Sequence, residues 1–275
     1  INTDGITFDS NSNKVVVVWQ YEGSGNIGKA AVGTVSGTSI SFGTAATFNN
    51  ASTSYPACTF DSNSNKVVIV YKDTDNSSHG TAIIGTVSGT DISFGSEVVF
   101  EAAATKVPTV AFDSTNNKVV IAYQDDADSD KGKAIVGTVS GTGISFGTAV
   151  EFSSASVSAT STSFDSTAGK IVIAFDDGSG GVGSFISGAV SGTSISFDTK
   201  GQVESGDIEG TIGIAFDSNA GKTVIAYKSG STSNHGKSNV ITVGSVTRNL
   251  TSENFIGITP SAYPTGAGAE IQTKG

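Results

Sequence analysis

The chain has 275 residues, 37 % of them hydrophobic and 15 % charged, with 35 glycines and a net charge of −10. That acidic balance excludes nucleic acid as a natural partner, because a negative surface repels phosphate backbones. No stretch reaches the roughly 18 apolar residues of a membrane-spanning helix, and none holds a helical apolar period, so membrane insertion and a helical fold are excluded as well.

In chain order, a short apolar run ending at Phe8 predicts a first strand, and segments 14–19, 28–36 and 40–48 predict three more. Then the pattern begins again. The triplet Phe-Asp-Ser starts at Phe8, Phe60, Phe112, Phe164 and Phe216, each 52 residues after the last. A lysine follows at one fixed offset (Lys14, Lys66, Lys118, Lys170, Lys222), then an aromatic (Trp19, Tyr71, Tyr123, Phe175, Tyr227). Five copies at one period define a repeat architecture.

The third copy is the clearest. Segment 107–112 predicts strand A, and 113–117 is a turn cluster of Asp, Ser, Thr and Asn. Segment 118–123 is β-branched and apolar, as a doubly buried strand B should be. A polar loop at 124–131 precedes strand C (132–140), a Ser-Gly-Thr hairpin, and strand D (144–152). The fourth copy diverges, with a loop at 176–183 that is mostly Gly and Ser. The fifth loses the Ser-Gly-Thr turn. There 240–246 predicts strand C and 253–258 an outer strand.

Each copy therefore predicts a four-stranded antiparallel meander. The fold expected is all-β: a five-bladed β-propeller with a 52-residue repeat, filling residues 1–258 as one domain. A linear solenoid is the competing arrangement. Closure is preferred because the period suits a propeller blade, and because strand A is rich in small residues such as Ala57, Ala111 and Ser161. Residues 259–275 read as a Pro/Gly/Ala-rich exit segment, a link to a further domain. The chain begins at Ile1 and has no Met, so a processed product or fragment of something longer is expected.

The repeat also ranks the chemistry. The Asp of Phe-Asp-Ser recurs in every copy, and a catalytic acid is needed only once, so this is a turn residue bonding nearby backbone N–H groups. Cys58, the lone cysteine, reads as a buried small hydrophobe. His79 and His235 share a column on non-adjacent copies, which argues against a shared zinc site. Asp125, Asp126, Asp128 and Asp130 form the densest acidic cluster and a weak Ca²⁺ candidate, without EF-hand spacing. No catalytic residues and no cofactor can be assigned.

The turns between strands A and B and between C and D are nearly identical among the early copies, and they share one rim. The B–C loops and D–A crossings share the other rim, and they differ. Binding favours variable loops on a rigid scaffold. The expected ligand rim therefore comprises Trp19, Gln20, Tyr71, Lys72, Asp73, Tyr123, Gln124, Asp125, Asp126, Asp176, Tyr227 and Lys228. Its aromatics would stack on sugar faces and its polar side chains would bond hydroxyls.

One stretch carries a resemblance. Leu-Thr-Ser-Glu-Asn-Phe-Ile-Gly at 250–257, then Ala262-Tyr263, then 266–275, resembles a segment of marine bacteriophage tail and other virion proteins, as do the Phe-Asp-Ser repeats. The resemblance implies a virion location (tail or surface) or an extracellular one, other virion proteins as partners, and attachment to host cell-surface glycans. The function expected is non-enzymatic, lectin-like binding. A glycan hydrolase or lyase, and a purely structural virion protein, are the alternatives.

Overall fold

The computed structural model describes residues 2–178, 181–230 and 235–244. Among these the regular structure is strand and short 3-10 turns, with no α-helix. The predicted outer strand at 253–258, the exit segment 259–275 and the stretch bearing the viral resemblance lie outside the described residues.

The first unit comprises β1 (Asn2–Asp9), β2 (Lys14–Tyr21), β3 (Ile27–Ser36) and the short hairpin strand β4 (Ser39–Phe42), all antiparallel. β5 (Ala46–Asp61) then does two things. Its first half pairs with β3 at the outer edge of the first unit, and its second half pairs with β6 (Lys66–Asp73) as the first strand of the second. β7 (His79–Ser88), β8 (Asp91–Phe94) and β9 (Val98–Asp113) repeat the scheme. The third unit follows with β10 (Lys118–Asp125), β11 (Lys131–Ser140), β12 (Gly143–Phe146) and β13 (Val150–Asp165). The fourth has β14 (Lys170–Asp177), β15 (Val182–Ser191), β16 (Ser194–Phe197) and β17 (Gly201–Asp217). The fifth adds β18 (Lys222–Ser229) and β19 (His235–Ile241).

Two expectations need correction. The predicted strand D is not one strand. It breaks after Phe42, Phe94, Phe146 and Phe197, and the residues beyond each break belong to a long strand that crosses into the next unit. The crossing is possible because the long strands carry bulges, such as the register shift between Ser54 and Ala57. Strand B also runs further than predicted, so Gln124 and Asp125 lie in β10, paired with Gly132 and Lys131, and not in the loop.

The repeated aspartate does what repetition implied. Asp113 Oδ1 accepts the backbone N–H of Thr115 at 2.9 Å and of Asn116 at 3.0 Å. Asp9, Asp61, Asp165 and Asp217 do the same in their own units. Each turn then ends on a left-handed residue, which explains Asn at 13, 65 and 117 and Gly at 169 and 221.

The core lies between units. Val120 and Ala122 of the third unit pack on Ile171, Ile173 and Phe175 of the fourth, and equivalent clusters fill the other three junctions. Phe48, Phe100 and Phe152 lie over Gly28, Gly80 and Gly132, so closely that a Cβ would meet the ring within 2.5 Å. The fourth unit reverses the arrangement. Phe185 stands in the column of Ala134, and its ring covers Gly201. Cys58, expected to be buried, is partly buried against the core, and desolvation pushes its thiol up to about 12.

The two ends of the array are bare. Ile6 is 70 % exposed, Phe8 54 %, Ile40 45 % and Phe42 51 %, whereas Ile144 and Ile195, in the column of Ile40, are 7 % and 3 %. On the fifth unit Ala215, Ala226 and Ser238 are exposed, although Ala122 and Ala174, in the column of Ala226, are fully buried. Among the described residues the first and fifth units do not cover each other.

Candidate ligand-binding rim

Strand register places the B–C loops beside the D–A crossings. At the end of β10, Asp125 pairs with Thr105 of the crossing strand on one side and with Lys131 of the loop on the other. This is the rim that the sequence picks out as variable.

The aromatic column is not on its surface. Tyr71, Tyr123 and Phe175 are fully buried, with rings 5.2, 5.3 and 5.0 Å from Phe48, Phe100 and Phe152. Tyr227 is nearly buried too, and its hydroxyl donates to the Val203 carbonyl at 3.2 Å. These side chains face the neighbouring unit because strand B alternates between two covered faces, so they cannot stack on a sugar. Trp19 is half-buried, because the face it shares is the bare end of the array.

Several predicted polar contacts are internal as well. Asp73, Gln124, Asp125 and Asp176 are buried. Asp125 Oδ1 accepts the N–H groups of Ala127 and Asp128, capping a 3-10 turn, while its Oδ2 meets Lys133 Nζ at 2.6 Å. Asp176 accepts the Ser158 hydroxyl at 2.5 Å. Gln124 donates to Asp130 at 2.7 Å. Gln20, Lys72, Asp126 and Lys228 remain partly exposed.

The weak Ca²⁺ candidate is occupied by lysines. Lys106 Nζ lies 2.5 Å from Asp126 and 3.6 Å from Asp130, and Asp128 meets Lys131 at 3.3 Å and Lys133 at 3.0 Å. Lys106 holds Asp126 below the usual carboxylate range, and the hydrogen bonds from Lys133 and Lys131 do the same for Asp128. Among the described residues, no three His, Cys, Asp or Glu side chains gather as a metal site.

Nearer the first strands of the units, a cleft of about 160 Å³ opens between the second and third, lined by Tyr55, Pro56, Ala57, Val107, Pro108 and Thr109. Tyr55 is 45 % exposed. Tyr55 and Val107 occupy one column, each before a proline, and both have positive φ (53° and 42°). Positive φ at a β-branched residue is strained and must be held by its surroundings. Thr160 contributes, donating its hydroxyl to the Val107 carbonyl at 2.6 Å. Comparing loops between copies does not single out these residues. The available signal is the Tyr-Pro and Val-Pro dipeptides, 52 residues apart within variable crossings.

No family model and no curated protein matches the chain. Among solved structures it is similar to a glutamate-to-glutamine variant of an exo-β-1,3-galactanase from Phanerochaete chrysosporium, crystallised with β-1,3-galactotriose. The two share a TM-score of 0.51 and 8 % identity over 83 % of this chain and 60 % of the galactanase, so the chain spans less than two thirds of that protein. It is also similar to a triple arginine-to-alanine mutant of AofleA from Arthrobotrys oligospora, with a TM-score of 0.45 and 9 % identity over 87 % of this chain and 83 % of that one. The first likeness places the chain in an all-β antiparallel fold shared with the galactanase, and at 8 % identity it speaks to the fold alone.

Proposed function

We propose that the chain is a five-bladed β-propeller that binds carbohydrate without turning it over. In this reading it serves in a bacteriophage virion or tail and recognises host surface glycans through the B–C/D–A rim. The observation that carries the binding site is the Tyr55–Pro108 cleft: an exposed aromatic beside two prolines, with the Thr109 hydroxyl in the lining. A sugar ring offers an apolar C–H face and a hydroxyl edge, and this cleft offers a partner for each.

A closed ring would cover both bare ends. The uncovered columns of the first unit are those that the preceding unit covers at each interior junction, and the uncovered columns of the fifth complete the pair. Binding without turnover is consistent with two of the rim acids. A glycosidase needs one carboxyl held protonated, hence raised, and Asp126 and Asp128, lowered by lysines, are not suited to that role. The galactanase of similar fold was crystallised with a galactotriose, which keeps glycans foremost among the ligands to test.

The deciding experiment is a glycan array on the purified chain, followed by product analysis of every glycan that binds. Binding with intact glycan supports the proposal. Released product points instead to an enzyme, and silence across the array to a structural part.

A further inference from the structure

The Tyr55–Pro108 cleft is held by a residue that does not line it. Tyr55, Val107 and Ala159 occupy one column of the repeat, and Pro56, Pro108 and Thr160 occupy the next. Threonine stands where the two preceding copies have proline, and it makes a hydrogen bond that proline cannot. From β13, and only 8 % exposed, Thr160 donates its hydroxyl to the Val107 carbonyl at 2.6 Å. That carbonyl belongs to the planar peptide leading into Pro108. The bond therefore pins the peptide plane, and with it the strained backbone of Val107, a β-branched residue at φ 42°. Val107 and Pro108 both line the cleft, so one buried hydroxyl holds this wall from behind.

The same hydroxyl sets the polarity of the lining. A threonine hydroxyl has one hydrogen to donate and two lone pairs. Thr160 gives its hydrogen to the Val107 carbonyl. At its 3.5 Å contact with Thr109, Thr109 is therefore the donor. Thr109 also lies 2.7 Å from the Thr162 hydroxyl, and with its own hydrogen committed it accepts there. What Thr109, a lining residue, retains for a ligand is a lone pair.

We infer, resting on the carbohydrate reading above, that Thr160 is the positioning residue of this cleft. The hydroxyl order it imposes makes Thr109 an acceptor, and the cleft selects a ligand that donates an O–H beside an apolar face. A sugar hydroxyl meets that demand. The same position carrying fluorine does not, because it has no hydrogen to give.

The test has two arms, both on the intact chain. In the first no ligand is present, and NMR follows Val107. Positive φ brings a residue's amide hydrogen and Hα close together, so a strong intraresidue Overhauser effect is expected there. It should persist in Thr160→Ser and vanish in Thr160→Val, which keeps the shape and loses the donor. In the second, calorimetry measures binding of the methyl glycosides of galactose, glucose and mannose, and of their monodeoxyfluoro derivatives. Thr160→Val should weaken binding about tenfold, whereas Thr160→Ser should keep it. Adding Val107→Gly to Thr160→Val should recover binding, because glycine adopts positive φ without strain. A general loss of stability would not be repaired by that glycine. At one hydroxyl, fluorine should cost the unmutated chain about tenfold and cost Thr109→Val nothing further. An unchanged Val107 effect in folded Thr160→Val overturns the inference, as does its unchanged binding, or equal binding of every fluoro derivative. If Thr160→Val does not fold, the fluoro series on the unmutated chain decides. Binding by none of the glycosides overturns the carbohydrate reading instead, and the Val107 effect then decides the role of Thr160.

Discussion

Tyr123 donates its phenolic hydrogen to the Glu101 carboxylate at 2.8 Å, and Tyr71 does the same to Glu97 at 2.8 Å. Burial first, and then these bonds and the glutamate charges, hold both phenols well above the ordinary value of 10.0. The folded chain therefore keeps a proton that the unfolded chain releases. That contribution to stability is complete below about pH 10 and is lost progressively above it. In a tyrosine absorbance titration these two of the six tyrosines should ionise only with unfolding, seen as a cooperative step shared by absorbance and circular dichroism.

The turn aspartates should contribute separately. Asp113→Ala removes the acceptor for two backbone N–H groups and for the Asn116 side-chain amide. We expect a loss of about 1–2 kcal/mol in urea unfolding with an unchanged slope. The same change at Asp61 should add nearly independently, because the two turns share no partners.

Gly147→Ala should destabilise by about 1–3 kcal/mol, since its Cβ would meet the Thr193 carbonyl oxygen at 1.9 Å and one unit must shift against the next. Thermal unfolding measures this directly, and a neutral outcome would mean that the hairpin does not seat there in solution.

Ring closure makes Ile6 a core residue. If the first and fifth units meet, Ile6→Asp should cost about 2–4 kcal/mol, close to the loss from Ile144→Asp in the interior. If Ile6→Asp leaves the melting temperature where it was, the array is open and the five-bladed ring is wrong.

Tyr55→Ala should weaken glycan binding at the first rim at least tenfold while changing stability by no more than about 1 kcal/mol, because Tyr55 is nearly half exposed. Equal binding by the variant in a direct titration would remove that cleft from consideration.

Much of the fold was readable along the chain. The 52-residue recurrence of Phe-Asp-Ser marked every A–B turn, because a tight turn needs the same short-range hydrogen bonds wherever it occurs. The division into a constant and a variable rim followed from the same comparison. What the chain order could not convey was which side of strand B lies against a neighbour. Tyr71 and Tyr123 resemble ligand-stacking residues in one dimension, and only the packing of unit on unit puts them beside Phe48 and Phe100. Gly147 is the converse case. Its glycine is visible in the repeat, but its necessity needs the next unit's hairpin in place, since a side chain there is forbidden by the Thr193 carbonyl oxygen, far apart in sequence. Local hydrogen bonding determined the elements, and long-range packing decided which surfaces remain for a ligand.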